Sequence, residues 1–220
     1  IVGQELDPAW PANTLGSSSP TPCSIGITIR GASSPVIESN VIYGSYPLNT
    51  DFRPARTNGI RIFTNSSQTA DPPETRITRN SRIEGGSGST SAVGIRVRAC
   101  ANSRHGQRIT ENRIFGKIGI EFDTDVAAVD GEICPPIPPD ETGRPVGVTV
   151  IDRNGIFPSP VATIMFTGLS WDAAGLPTAE RVVSNNLIAV NNVLRCRGLL
   201  HERGGLDILH NTIDTRDCTE

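Results

Sequence analysis

Three carboxylates stand at alternate positions in the stretch "IEFDTD": Glu121, Asp123 and Asp125. On an extended strand alternate side chains point to the same face, with successive ones about 6–7 Å apart. That spacing suits two kinds of chemistry. A pair of carboxyl groups can flank a glycosidic bond and share acid and base work. Carboxylate oxygens also ligate calcium, which makes Asp123 and Asp125 the candidate metal positions and calcium the one candidate cofactor. The stretch "DTDVAAVDGE" lacks the complete EF-hand pattern. Arg61, Arg96, Arg98 and Arg203 add guanidinium groups, which hold carboxylates in a bidentate fork, and His201 adds an imidazole. Glu121, Asp123 and Arg96 are the candidate catalytic residues. Arg61, Arg96, Arg98, Glu121, Asp123, His201 and Arg203 are the candidate ligand contacts, for an acidic or polyhydroxylated chain. A plainer reading uses the same residues: opposite charges on neighbouring strands neutralise one another and keep a solvated face soluble.

These residues share a face only if the chain repeats. It does. The pattern (Ile/Val)-x-x-Asn-x-Ile appears as "IESNVI" (37–42), "ITENRI" (109–114), "IDRNGI" (151–156), "VSNNLI" (183–188) and "ILHNTI" (208–213), with "ITRNSRI" (77–83) carrying one extra residue. Its asparagines are Asn40, Asn80, Asn112, Asn154, Asn186 and Asn211, spaced 25 to 42 residues apart. Between them runs a second motif: "GITI" (26–29), "GIRI" (59–62), "GIRV" (94–97), "GIEF" (119–122), and a degraded "GLLH" (198–201). "ATIMF" (162–166) is assigned the second-strand place after Asn154. The reading is a two-strand unit repeated about six times. Each strand alternates apolar and polar residues, so it buries one face only by stacking on its neighbours. Asn suits the sharp turn because it tolerates left-handed backbone, and an inward Asn would bond amide to amide along the pile. The glycine before each second strand is expected to permit a second tight corner.

The recurring "ITxN.I … GI.I" resembles the right-handed parallel β-helix of the pectin-lyase-like superfamily, over roughly residues 24 to 214. The resemblance implies an all-β fold: a right-handed parallel β-helix of about six coils with irregular loop insertions. Residues 1–22 read as an N-terminal arm or incomplete coil, and 23–220 as the helix, with a longer parent chain as an open alternative. The superfamily contains lyases, hydrolases, epimerases, tailspikes and non-catalytic surface proteins, so the motif specifies architecture and leaves activity open. In it an Arg or Lys serves as a lyase base, commonly with calcium. That offers Arg61, Arg96 or Arg98, with no motif to choose among them.

Composition bounds the rest. Aromatic residues are only 5%, so the core volume must come from Ile and Val in many short segments. Net charge is −3 with no basic block, which argues against nucleic acid. No apolar run is long enough to span a membrane as a helix. Five cysteines (Cys23, Cys100, Cys134, Cys196, Cys218) lack metal spacing and point to a disulfide-bearing secreted, periplasmic or cell-surface protein. One bridge between Cys196 and Cys218 would join neighbouring coils. Insertions at 43–58, 64–75, 123–146 and 167–181 either wall a groove or are tolerated decoration. The last coil ends near Asp214 without a polar cap, so end-to-end association or a further domain is expected there. The expected role is structural or carbohydrate-binding; polysaccharide cleavage is the alternative. The partner is a glycan or another protein surface.

Overall fold

The computed structural model describes residues 14–15, 25–30, 34–44, 57–64, 74–85, 92–100, 105–126, 128–129, 132–133, 147–157, 169–173, 181–190, 197–201 and 205–215. Its strands form three parallel sheets. Sheet A stacks β1 (Thr14–Leu15), β4 (Val41–Tyr43), β7 (Arg82–Glu84), β10 (Arg113–Phe115), β15 (Gly155–Phe157), β18 (Leu187–Ala189) and β21 (Thr212–Asp214). Sheet B stacks β2 (Ile25–Arg30), β5 (Thr57–Thr64), β8 (Ala92–Cys100), β11 (Ile118–Val126), β16 (Leu169–Ala173) and β19 (Leu199–His201). Sheet C stacks β3 (Val36–Glu38), β6 (Glu74–Thr78), β9 (Gly106–Thr110), β14 (Thr149–Asp152), β17 (Arg181–Ser184) and β20 (Asp207–Leu209). A small antiparallel hairpin joins β12 (Ala128–Val129) to β13 (Glu132–Ile133). The chain visits the sheets in the order B, C, A and returns one rung further on. This is the architecture of a parallel β-helix, consistent with the right-handed pectin-lyase-like fold.

The repeating unit has three strands, not two. The six-residue Asn motif bends at its centre, so its first half lies in sheet C and its second in sheet A. Like residues then stack rung upon rung. Ile42, Ile83, Ile114, Ile156 and Ile188 are in register down sheet A, and Ile37, Ile77, Ile109, Ile151 and Val183 down sheet C. All ten are buried in one core with Ile60, Ile62, Ile95 and Ile120 from sheet B. β-branched side chains fit this pleated stack because they hold few rotamers and mesh with copies of themselves.

The asparagines form a continuous ladder at the C-to-A corner. Each Nδ2 from Asn40 to Asn186 donates to Oδ1 of the next Asn at 2.8–3.2 Å. The backbone N–H of the same residue donates to the same oxygen at 2.9–3.0 Å. The amides also reach back to carbonyls of the preceding coil, such as Ile77 O for Asn112 at 2.8 Å. The inward, amide-stacking reading of these positions therefore holds. The left-handed reading does not: positive φ belongs to the residue before each Asn, namely Ser39, Arg79, Glu111, Arg153, Asn185 and His210, at 53–59°. The corner is made one residue early, which frees each Asn side chain to turn inward.

The second-strand glycines also differ from expectation. Gly59 and Gly94 lie within strands, without positive φ. A Cβ on Gly94 would stand 2.3 Å from Ile114 Cγ2 and 2.6 Å from the Gly119 carbonyl. These glycines clear a slot into which the sheet A isoleucines of the same coil pack.

Two segment assignments are corrected. The second strand after Asn154 is "LSWDA" (β16), in register with β11 from Ile120↔Leu169 to Thr124↔Ala173. The proposed "ATIMF" lies outside the described residues, and the 167–181 insertion contains β16. Residues 123–126, taken as the start of an insertion, continue β11. The cysteine side chains lie outside the described set, and with them the expected disulfides.

Candidate functional site

The outward face of sheet B brings five of the sequence candidates together. Register aligns Thr28, Arg61, Arg96, Glu121, Ser170 and Leu200 in one row. A second row aligns Arg30, Phe63, Arg98, Asp123 and Asp172. Strand alternation sends Arg61, Arg96, Arg98, Glu121 and Asp123 away from the isoleucine core, so acid and base meet across adjacent rungs.

Their charges are spent on each other. Arg96 Nε lies 2.9 Å from Glu121 Oε2, and its Nη2 lies 3.7 Å from Asp123 Oδ2. Arg98 Nε donates to the same Asp123 oxygen at 2.9 Å. The guanidinium of Arg61 lies over the Phe63 ring at 4.0 Å. The Arg96 side chain is only 12% exposed, so its pair is better shielded from water than a typical surface ion pair. Glu121 and Asp123 share one arginine, Arg96.

The remaining candidates fall elsewhere. His201 stands opposite Trp171, in the row of Ile29, Ile62, Val97 and Phe122. That row points inward, and Leu200 takes the outward place. The shift follows from the two-residue alternation: "GLLH" was expected to put His201 outward, but Leu199 is the residue aligned with Ile120 and Leu169. Arg203 lies outside the described residues. Asp125 falls at the register shift between Thr124 and Val126, where alternation along β11 is broken. Among the described residues, no group of three or more His, Cys, Asp or Glu could hold a metal ion. Among them, too, no helix is long and apolar enough to cross a membrane.

Two outward clusters escaped the sequence reading. On sheet A, the guanidinium of Arg82 lies 4.7 Å from the Phe115 centroid and 5.5 Å from that of Tyr43. Phe115 stacks on Phe157 at 5.3 Å, and Arg82 also pairs with Glu84 at 2.6 Å. The ring faces are used within this pile. On sheet C, Glu74 holds both Arg76, at 2.7 Å, and Arg108, at 3.1 Å. Asp152 there accepts from Ser184 Oγ (2.7 Å), Asn185 Nδ2 (2.8 Å) and Arg153 Nε (2.7 Å). Burial pushes the Asp152 carboxyl up, but those hydrogen bonds and the Arg153 charge outweigh it and hold the carboxyl below its ordinary value. Glu38 pairs with Arg79 and Glu111 with Arg153 on the same corner. The signal for both clusters was the alternation around each Asn, x-Ile-x on either side.

No family model, curated protein or solved structure matches the chain. Architecture and side-chain geometry are therefore what bear on function.

Proposed function

We propose that the chain is an extracellular or cell-envelope β-helix domain with a structural or carbohydrate-binding role. One observation carries this: Arg96 and Arg98 on the sheet B face are engaged by Glu121 and Asp123 of the next rung. A lyase or hydrolase must aim its acid and base at the substrate. Here the same groups are aimed at one another, as in a scaffold whose rungs are held in register by charge. The secreted or cell-surface placement is supported by the cysteine content and by the common occurrence of such helices outside cells.

The test offers the chain pectate, alginate and glycosaminoglycans, with and without calcium. Cleavage is read by unsaturated-product absorbance and by reducing ends, and binding by affinity electrophoresis. No product in either channel is expected. Retarded migration in one of these glycans would assign the carbohydrate-binding role over the purely structural one. Turnover that disappears in Glu121→Gln, with the fold intact, would overturn the proposal in favour of a polysaccharide-cleaving enzyme.

A further inference from the structure

The asparagines of the ladder are followed in turn by Val41, Ser81, Arg113, Gly155, Leu187 and Thr212. Only after Asn154 is the next residue glycine. Packing on sheet A accounts for it. The Phe157 ring folds back over Gly155, where a Cβ would stand 2.6 Å from Phe157 Cε2. The same ring stacks on Phe115 at 5.3 Å and lies 5.9 Å from the Arg113 guanidinium. A side chain at 155 would displace the ring from that pile.

Asn followed by Gly is the pair most prone to lose its side-chain amide, because no side chain shields the next backbone nitrogen. In the folded chain both reacting groups are engaged. Gly155 N–H donates to Asn112 O at 2.9 Å. Asn154 Nδ2 donates to Ile109 O at 2.8 Å, to Asn186 Oδ1 at 3.0 Å and to Asp152 O at 3.1 Å. Asn154 Oδ1 accepts from the backbone N–H and Nδ2 of Asn112, both at 3.0 Å. The residue is only 2% exposed, which keeps water from the amide.

We propose that Asn154 is a deamidation site kept closed by the asparagine ladder, and that its modification is a one-way exit from the fold. When the coil of β14 and β15 opens, Gly155 N bonds to Asn154 Cγ and the Cγ–Nδ2 bond breaks. The Gly155 proton passes through solvent to the departing amide, which leaves as ammonia. Water then opens the cyclic imide at either carbonyl, giving aspartate or its β-linked isomer. Neither product fits the ladder. A carboxylate at 154 has no hydrogen to give Ile109 O, Asp152 O or Asn186 Oδ1, and it buries a charge among oxygens. The β-linked product also lengthens the main chain between β14 and β15, at the corner that sets sheet C against sheet A.

Peptide mapping by mass spectrometry tests this on the whole chain at mildly alkaline pH. Asn58–Gly59, the chain's other Asn–Gly pair, lies outside the ladder and calibrates the rate of an open pair in guanidinium chloride. In denaturant the Asn154 peptide converts to the acid form, and in native buffer it converts roughly tenfold or more slowly. Asn154→Asp carries the product carboxylate from the start. It is expected to unfold at lower denaturant than the unaltered chain, with amide protection lost first across 149–157. Should that variant fail to fold at all, the exit is supported, and the two conversion rates of the unaltered chain remain the independent measure. Equal conversion in the two solutions overturns the proposal, and so does no conversion in denaturant. An Asn154→Asp chain as stable as the original overturns it as well.

Discussion

Asn112 sits in the middle of its ladder, almost fully buried, bonded to Asn80 above and Asn154 below. Removing its amide leaves the Asn80 backbone N–H without its acceptor, away from water, and takes one of its two donors from Asn154 Oδ1. Asn112→Ala therefore costs about 2–4 kcal/mol, read as a lower midpoint in urea. His105 is a second buried polar residue, hydrogen-bonded to Thr75 Oγ1 at 2.7 Å. Burial lowers its imidazole from 6.5 to about 4, against an opposing pull from Glu74. The unfolded chain takes up this proton near 6.5 and the folded chain only near 4. Stability is thus highest above 6.5 and declines as pH falls through that window, by roughly 3 kcal/mol in full. Urea titrations at several pH values should show this slope, and His105→Gln should remove it. The six asparagines were legible because one residue type recurs at one place in the pattern. The left-handed residues beside them were not, because Ser, Arg, Glu, Asn and His share no local signature for that backbone.

At the scale of elements, the contact between β8 and β10 turns on a hydrogen atom. Gly94 has backbone on one side and Ile114 on the other, so a methyl group must displace a strand. Gly94→Ala is expected to cost about 1–3 kcal/mol through overpacking, measured as a fall in thermal midpoint. Most strands were legible from alternation: "GIRI", "GIRV" and "GIEF" lie in β5, β8 and β11, with their isoleucines inward. β16 was not. The sequence assigns "ATIMF" the strand and puts "LSWDA" inside the 167–181 insertion, and only the pairing of Leu169 with Ile120 shows the strand there. The sheet B rows were legible for the same reason as the strands. The distances from Arg96 and Arg98 to their carboxylates were not, since they depend on which rung lies beside which.

Across the whole molecule, each coil touches only its neighbours, so the effect of a substitution depends on its place in the pile. Ile114→Ala opens a cavity in a coil covered on both sides and should cost about 2–5 kcal/mol. Ile213→Ala removes a half-exposed side chain of the same row and should cost less than about 1.5 kcal/mol. Paired urea curves at low protein concentration measure the difference. The sequence alone determined that the isoleucines of the repeated motifs face inward, where the chain bends beside Asn, and which face carries the arginines and acids. Those are local properties, set by a period of two and by one recurring residue. The tertiary structure alone decided that each unit has three strands, that Leu200 displaces His201 from the outward row, and that Arg96 and Arg98 are occupied. Those depend on register between segments 25 to 42 residues apart, and loops of unequal length erase that register from any local pattern.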